Sequence, residues 1–519
     1  MSFFDDASLV FLPSGQAGKD GKAYSMKPTN GDGDFTFSRG SNLTATRIDS
    51  NGLIAKGREN LFLNSDTPAT QSITITNGGV YVLSFLGSGS VVASGGASFT
   101  LNGTGEFDRV ENFFVSSSTS VTLTISGTIT EPQLELGLAA TEYIESGAST
   151  GLAGILEDSP RFDYSGGASC ASLLLEPSRT NLVGQSEYYG SNLLVNATID
   201  TNNATSPEGL QNATLLTEDT NSGNHAIREA SNILIAADDS QYVISFYAKS
   251  NGRNIRFIDD GYSGSDTVVN FNITSGGTFN NGDKVIDSDA VAFGDGWYYC
   301  YAVIDKKAPT QAAFRFSLRL LGGASNDNDS YTGDGSRGVW LYGKQVEDSV
   351  TYPTSYIPNH SGGSVTREAD VNTLLNQSGV IGQTAGTILF DAYFDEAEKV
   401  NFSISDSTSS NFISIETTSS NEVTAKVEQG GSTQATITTT TSFFAEGDRL
   451  KCAIAYDDRD MAFYINGTQV NTAAPNLIPT CDDVRFGNYD GSIKAKQRIN
   501  RVVLFDTRIS DNNLATLTS

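Results

Sequence analysis

The chain has 519 residues, with 60 acidic and 33 basic side chains, four Cys and only two His, and its formal net charge is −27. This length predicts about three or four domains at roughly 100–200 residues each, so a single small scaffold is excluded. The acidic balance opposes the basic surface that phosphate contacts require, so nucleic acid is not an expected partner.

The first residues, MSFFDD, lack the basic segment of a secretory signal, and no apolar run is as long as a bilayer-spanning helix. We therefore expect synthesis in the cytoplasm without a signal peptide, and no membrane insertion. Cys170, Cys300, Cys452 and Cys481 show no metal-site or disulfide spacing, which predicts reduced, buried thiols.

Short runs of alternating apolar and polar residues recur along the chain and predict strands. They include residues 72–76, 121–125, 242–247 and 462–465, and turn-forming residues bound them. Asn466-Gly467 predicts a type I′ hairpin, and a short final helix is expected after Ser510, with Leu514 and Leu517 packed inward. The pattern predicts an all-β fold of tandem antiparallel β-sandwiches, and we expect an extended N-terminal arm before them.

An internal repeat divides the chain. Residues 58–61 (RENL) match 179–182 (RTNL), and the closing segments 131–144 and 345–358 match in the same order. The predicted units are an arm (1–57), a small inserted sandwich (58–150), a connector (151–178), a second sandwich (179–359), a linker (360–377) and a third sandwich (378–519).

Several segments carry a resemblance to known families. Residues 45–54 (ATRIDSNGLI), 160–164 (PRFDY), 173–182 (LLLEPSRTNL), 296–300 (GWYYC) and 353–358 (PTSYIP) resemble a group of bacteriophage virion proteins of the tail-fibre, spike or head-fibre kind. The second sandwich resembles the jelly roll of carbohydrate-binding modules. Through 455–457 (AYD), 463–467 (FYING) and 499–505 (INRVVLF), the third is similar to concanavalin-like laminin-G jelly rolls.

The resemblance implies a virion structural protein that docks on other phage virion proteins and displays sandwiches for binding host cell-surface glycans. It implies a homo-oligomer that presents many copies, located in the virion, without enzymatic activity. Two alternatives remain open: a purely structural decoration or adaptor protein, and a polysaccharide-degrading tailspike.

The sequence contains few residues of the types that catalysis commonly uses. His225 and His360 are both predicted as solvated loop residues, which leaves no triad or zinc site, and no catalytic residue or required cofactor is predicted. A glycosidase needs only two carboxylates, but Glu176 and Asp163 fit ion pairs with nearby arginines.

The loop at residues 326–335 is the candidate metal site. Asp327, Asp329 and Asp334 supply hard oxygen ligands beside glycines, which suits calcium, whereas the spacing of an EF-hand is missing. An ordinary turn is the alternative interpretation, because Asp and Asn also populate turns.

Glycan binding requires exposed aromatic faces with polar groups around them. Tyr188, Tyr189, Tyr262 and Tyr331 lie in predicted loops and are the candidate glycan-binding residues. Trp297 and Trp340 lie in predicted strands, where a tryptophan more often belongs to a sandwich core.

Overall fold

The computed structural model describes residues 3–15, 18–261, 267–306, 308–323, 328–395, 399–490, 492 and 495–519. About half of the chain forms strands that pair antiparallel, and helices are few, so the predicted all-β sandwich class is confirmed. In the described part of the chain, no helix is long and apolar enough to cross a membrane.

The N-terminal part contains helix α1 (Phe3–Asp6) and strands β1 (Leu9–Phe11), β2 (Gly18–Lys19), β3 (Lys22–Ala23), β4 (Phe35–Arg39), β5 (Thr46–Ile48) and β6 (Ile54–Lys56). The next segment contains β7 (Arg58–Asn60), β8 (Gln71–Thr74), β9 (Val80–Gly87), β10 (Ser90–Gly95), β11 (Phe99–Asn102), β12 (Gly105–Val115), β13 (Ser120–Ser126), β14 (Ile129–Leu136) and β15 (Gly151–Ala153). Two strands follow, β16 (Arg161–Asp163) and β17 (Ser172–Leu175).

The central segment contains β18 (Arg179–Asn181), β19 (Leu193–Val195), β20 (Ala197–Ala204), β21 (Ala213–Glu218), β22 (Ser222–Asn224), β23 (Ala226–Arg228), β24 (Ile233–Leu234), β25 (Gln241–Asn251), β26 (Asn254–Asp259), β27 (Val268–Phe271), β28 (Thr278–Phe279), β29 (Val285–Gly294), β30 (Trp297–Asp305), β31 (Ala313–Phe314), β32 (Phe316–Leu321), β33 (Ser330–Thr332) and β34 (Gly338–Asp348).

The C-terminal segment contains β35 (Val365–Arg367), β36 (Asp370–Leu374), β37 (Gly386–Phe394), β38 (Val400–Ser405), β39 (Phe412–Thr417), β40 (Val423–Gln429), β41 (Ser432–Thr438), β42 (Asp448–Asp457), β43 (Asp460–Ile465), β44 (Thr468–Ala473), β45 (Asp483–Phe486), β46 (Gln497–Phe505) and helix α2 (Asp511–Thr518).

Each of the two copies of the repeat forms one sandwich. The first packs sheet β11-β10-β13-β8 on sheet β12-β9-β14 around a core that includes Phe62 and Phe85. The second packs sheet β20-β21-β34-β25-β30-β29 on sheet β19-β23-β32-β26-β27-β28 around Phe246 and Phe257. Successive side chains of each strand point alternately to the two faces of its sheet, and the inward-facing rows of the two sheets form one core in each sandwich.

The repeat is also a repeated hydrogen-bond arrangement. The Asn60 amide donates to two backbone carbonyls and accepts two backbone N–H groups at 2.8–3.1 Å. Asn181 does the same in the second sandwich, with one hydroxyl in place of a carbonyl, at 2.9–3.2 Å. Both side chains are fully buried. The recurring sequence therefore encodes an internal brace that satisfies otherwise unpaired backbone groups.

The closing segments of the repeat supply the second half of this brace. Gln133 donates to Glu135 at 2.7 Å and accepts from the backbone of Ile144 at 2.7 Å. Gln345 donates to Glu347 at 3.0 Å and accepts from the corresponding backbone N–H, that of residue 357, at 2.6 Å. The two copies therefore match in their hydrogen bonds as well as in their sequences.

The C-terminal sandwich incorporates strands from three distant segments. Its nine-stranded sheet runs β2-β3-β4-β36-β45-β38-β39-β40-β41. Its eight-stranded sheet runs β16-β17-β46-β37-β42-β43-β44, and β1 also pairs with β46. Helix α2 covers the outer face of the eight-stranded sheet through Leu514 and Leu517, as the sequence predicts, although Ser510 makes no side-chain capping bond.

The prediction that these segments form an extended arm, a connector and a linker outside the sandwiches is therefore wrong. β1–β4 of the arm, β16 and β17 of the connector, and β36 of the linker are strands of this sandwich. Phe11 and Phe35 are fully buried, with their ring centroids 5.1–6.0 Å from that of Phe486. The physical reason is that short strands with an apolar face must bury it, and the C-terminal sheets offer the complementary face.

The predicted hairpin is confirmed at Asn466-Gly467, which joins β43 to β44. Their φ values are 48° and 82°, the pair of positive angles that a type I′ turn requires.

A buried ion network joins the arm, the connector and the linker. Arg161 pairs with Glu176 at 2.7 Å and with Asp370, while Arg39 pairs with Asp370 at 3.0 Å and Arg367 with Glu176 at 3.0 Å. All five side chains are fully buried. The expected Arg161–Glu176 ion pair is thus present, and buried charges persist here because each one has a partner.

A second buried cluster joins the first two sandwiches to the arm. Lys56 lies 2.7 Å from Glu187 and 2.9 Å from Glu208, and Arg58 also pairs with Glu208. Burial lowers the pKa of Lys56 to about 8, although Glu187 opposes that shift. The inserted sandwich is therefore held to its neighbour by ionic contacts rather than by a flexible tether.

Replacing one arginine of the buried ion network tests its role. We expect Arg161→Met to lower the free energy of unfolding by about 3–5 kcal/mol, because it leaves buried carboxylates unpaired. Urea denaturation measures the change. Arg337→Met is the matched control, since Arg337 and Asp334 form an ion pair with side chains 56% and 40% exposed, and its midpoint should stay near that of the parent. Equal midpoints for both variants would contradict the assignment.

The same network predicts a pH dependence of stability. Burial by itself would raise the pKa of Glu176, but Arg367 and Arg161 outweigh it and hold that pKa well below its usual value. The stabilisation is therefore present above pH 4.5, the ordinary value, and is lost as pH falls below it. Urea denaturation between pH 7 and pH 3 should show this loss, and Glu176→Gln should reduce the slope; an unchanged slope would refute the explanation.

The composite sandwich predicts different behaviour for two fragments. Residues 366–519 alone lack six strands of their sheets and should fail to show a cooperative unfolding transition by circular dichroism. Residues 58–150 contain both sheets and the whole core of the first sandwich and should unfold cooperatively. Cooperative unfolding of the 366–519 fragment would show that the N-terminal strands are dispensable.

Candidate functional site

One face of the second sandwich carries rows of aromatic side chains. The sheet β20-β21-β34-β25-β30-β29, here called the aromatic sheet, turns this face away from its own core. Strand register aligns Trp340, Lys249 and Trp297 in one row across β34, β25 and β30. The next row holds Tyr342, Tyr247 and Tyr299. Residues two apart on a strand share a face, so these rows form one continuous surface.

The centre of this surface is covered by the chain itself. Tyr247, Tyr342 and Trp297 are all at most 5% exposed and pack with Ile54 of β6 and with Tyr356. The indole N–H of Trp297 donates to a backbone carbonyl at 3.2 Å. The centre is therefore an internal interface and is closed to ligands.

Trp340 lies on β34, an interior strand of the aromatic sheet, beside exposed groups of the edge strand β20. Its indole N–H donates to Asn203 Oδ1 at 2.8 Å, and Asn203 Nδ2 donates to Asp200 at 2.7 Å. The Lys249 ammonium lies 5.9 Å from the indole ring. Trp340 is half-buried, whereas Asn203 and Asp200 are exposed. We call these four residues the tryptophan patch.

A bulge in β20 creates this arrangement. The pairing of β20 with β21 shifts between Asp200 and Ala204, and Asn202 takes a left-handed φ of 57°. Bulges redirect the side chains beside them, and here the bulge places Asn203 next to the indole. The sequence does not reveal this site, because a tryptophan inside a predicted strand can occupy either face of either sheet.

On the other side of the sheet, β30 carries Tyr299 and Tyr301, whose ring centroids are 6.0 Å apart and whose ring planes are inclined by 30°. Tyr301 donates to Asp287 at 3.1 Å, and burial raises the pKa of Tyr301 well above its ordinary value. Burial and the nearby Asp287 carboxylate both raise the pKa of Glu446, so this carboxyl group also lies close to the tyrosines' acidic partner. This side of the sheet is acidic and lacks a cationic partner among its described contacts.

The predicted glycan-binding tyrosines have separate surroundings. Tyr189 is 1% exposed, and the Lys344 ammonium lies 4.6 Å from its ring, so neither face is open to a sugar. Tyr188 is half-buried against Phe113 of the first sandwich, with ring centroids 6.1 Å apart. Tyr262 lies outside the described residues.

Tyr331 is also engaged by protein groups. Arg253 lies 4.9 Å from its ring centroid, the His225 ring lies 4.7 Å away, and its hydroxyl donates to Glu218 at 2.7 Å. Its ring is thus a packing element of the loop. The tryptophan patch differs from it in having two exposed polar side chains, Asn203 and Asp200, beside a partly exposed aromatic ring.

The predicted calcium loop uses its described carboxylates for other bonds. Asp329 pairs with Arg256 at 3.1 Å and Arg319 at 2.8 Å. Asp334 accepts hydrogen bonds from the backbone and hydroxyl of Ser336 within its own turn. Asp327 lies outside the described residues, and across the described ranges no group of three or more His, Cys, Asp or Glu is placed to hold a metal. Calcium binding stays a prediction.

The prediction that both histidines are solvated is wrong. His225 is fully buried, and its ring nitrogens lie 2.7 and 3.2 Å from two backbone carbonyls. His360 is 5% exposed and lies 3.5 Å from Glu187. Both loops are buried between strands, so their histidines brace backbone and carboxylate groups. Of the four cysteines, Cys170 is exposed and the other three are buried.

The sequence matches no protein-family model and no curated protein. Among solved structures, it is similar to the CBM40 module of the Ruminococcus gnavus IT-sialidase bound to α2,3-sialyllactose, with 15% identity and a TM-score of 0.24 over 27% of this chain and 84% of that one. It is similar to domain 4 of AbnA, an extracellular arabinanase of Geobacillus stearothermophilus in complex with arabinotriose, with 11% identity and a TM-score of 0.24 over 30% and 77% of the two chains.

A third similar structure is the NanB sialidase of Streptococcus pneumoniae, with 20% identity and a TM-score of 0.23 over 27% of this chain. The match spans only 24% of the sialidase chain. Likeness at these identities and TM-scores carries no argument about the ligand or activity of this protein.

Proposed function

We propose that this protein is a non-enzymatic bacteriophage virion component, part of a tail fibre, spike or capsid-attached fibre, that binds host cell-surface glycans. The observation that carries the glycan-binding part is the tryptophan patch. The virion part rests on the sequence resemblance. The protein is made in the host cytoplasm and is displayed in the virion in many copies as a homo-oligomer.

The patch has the chemistry that sugar recognition requires. An indole offers a flat apolar surface to the C–H groups of a pyranose ring, and aromatic side chains contribute much of the energy at such contacts. The amide of Asn203, the carboxylate of Asp200 and the ammonium of Lys249 offer donors and acceptors to hydroxyl groups at the ring edge. None of these interactions requires a metal.

A patch of this size binds weakly by itself, because only one aromatic face and a few polar groups contact the sugar. Display of many copies on one particle converts weak contacts into firm attachment, since each further contact forms at a high effective concentration. This explains why a virion protein can use a shallow surface rather than a deep pocket.

Truncation of the indole tests the glycan site. A glycan array with the purified full chain identifies a ligand, and Trp340→Ala should weaken its binding by about tenfold, the loss that corresponds to one good contact. Phe107→Ala is the control, because Phe107 is 93% exposed on the first sandwich, and this variant should bind like the parent. Equal loss in both variants, or none in Trp340→Ala, would contradict the site.

The two alternatives give different results in the same experiment. A purely structural adaptor would bind no glycan on the array. A polysaccharide-degrading spike would release reducing ends from host polysaccharide, which a reducing-sugar assay on the same ligands detects.

A further inference from the structure

The C-terminal sandwich has an open cleft on the outer face of its eight-stranded sheet. The cleft has a volume of about 670 Å³ and is lined by β37, β42, β46, residues 168–172 and the end of α2. Small-ligand pockets span roughly 300–1,000 Å³, so the cleft is large enough for a sugar.

Strand register concentrates basic side chains in this cleft. Asp391 on β37 lies opposite Lys451 on β42 and Arg501 on β46, and the next outward position, Tyr393, lies opposite Arg449. Side chains two residues apart share a face of the sheet, so three cations surround one carboxylate.

The one acidic side chain does not neutralise these cations. Arg449 uses Nε and Nη2 to bind the two oxygens of Asp391 at 2.8 and 2.9 Å, and Arg501 lies 3.6 Å from the same group. Among the described residues, Lys451 forms no ion pair with an acidic side chain, and it donates to a main-chain oxygen of Ser519, a terminal carboxylate oxygen in this chain. Even with that carboxylate counted, three cations face two anions. The lining side chains are therefore net positive in a chain of charge −27.

The cleft also contains hydrogen-bond donors that the described protein groups leave unused. Arg501 Nε and Asn500 Nδ2 are buried without a hydrogen-bond partner. Burial lowers the pKa of Arg501, Asp391 opposes that shift, and Arg449 adds to it. Buried donors without acceptors are costly, so the cleft favours a ligand that supplies anionic oxygens.

The shape of the cleft favours a sugar over a simple anion. A carboxylate would fill only a small part of 670 Å³. Tyr393 is half-buried beside the cations, with the Arg498 guanidinium stacked on one face of its ring 4.0 Å from the centroid, so only the edge and the other face of the ring are available to a ligand. Ser172 and Asn500 supply polar groups that hydrogen-bond each other at 3.0 Å. Aromatic and amide groups beside a cationic centre match a pyranose that carries a carboxylate.

We propose that this cleft binds an acidic sugar, with the carboxylate of a uronic acid residue held by Lys451 and Arg501. The cleft is on a different sandwich from the tryptophan patch, so either assignment can fail without the other. The acidic chain as a whole would repel such a ligand, and the local cations overcome this at short range.

Cys170 provides a direct readout, because it lines the cleft and is the exposed one of the four cysteines. The full chain is treated with iodoacetamide, a neutral thiol reagent, and the modification of Cys170 is followed by mass spectrometry. Methyl glucuronide should slow the modification, methyl glucoside should not, and added salt should weaken the protection.

Variants test whether the cations are responsible for the protection of Cys170. Lys451→Gln and Arg501→Gln should each raise the glucuronide concentration needed for protection by about tenfold, the effect of losing one charge-assisted hydrogen bond. Lys426→Gln is the matched control, because Lys426 is a half-exposed lysine on β40 of the other sheet. That variant and Trp340→Ala should be protected like the parent. Equal thermal midpoints confirm that each variant is folded.

Four results would overturn the proposal. Protection by methyl glucoside equal to that by the glucuronide would show a neutral-sugar site. Equal protection by inorganic phosphate would show a general anion site without sugar recognition. Absence of protection by all three compounds, or protection unchanged in both Lys451→Gln and Arg501→Gln, would show that the cations do not hold a ligand.

Discussion

The arrangement of the whole molecule depends on a buried network of three arginines and two carboxylates. Arg39 and Asp370 are 331 residues apart in sequence, yet they meet at 3.0 Å with fully buried side chains. Charges are costly to remove from water, so they remain buried only where opposite charges are fixed beside them. The network therefore requires the arm, the connector and the linker to meet at one point, and that meeting fixes the second sandwich against the C-terminal one.

This docking determines which surfaces are left for ligands. Trp297, Tyr247 and Tyr299 lie on one face of the aromatic sheet. Ile54 of the arm and Tyr356 cover the centre of this face. The tryptophan patch is the part of the face where a bulge in β20 adds polar groups beside a partly exposed indole. The same fold can therefore place a binding surface at its margin when the middle of a sheet is needed for assembly.

Net charge by itself is a poor guide to local chemistry in this protein. A formal charge of −27 favours solubility and disfavours nucleic acid. It does not describe the cleft of the C-terminal sandwich, where Arg449, Lys451 and Arg501 meet around Asp391. These residues are separated by up to 110 positions in the sequence, and neither composition nor spacing brings them together; pairing of β37 with β42 and β46 does.

Features that depend on neighbouring residues can be predicted from the amino-acid order. Alternation predicts the strands, Asn466-Gly467 predicts the hairpin, and the repeat predicts two related sandwiches, because these signals act over a few residues or recur in a fixed order. The folded structure was needed to show that the N-terminal strands complete the C-terminal sandwich, that His225 and His360 are buried, and that Trp340 lies beside the polar groups of β20. Strand alternation shows which residues share a face, but the partner of that face is chosen by long-range pairing and burial of charge.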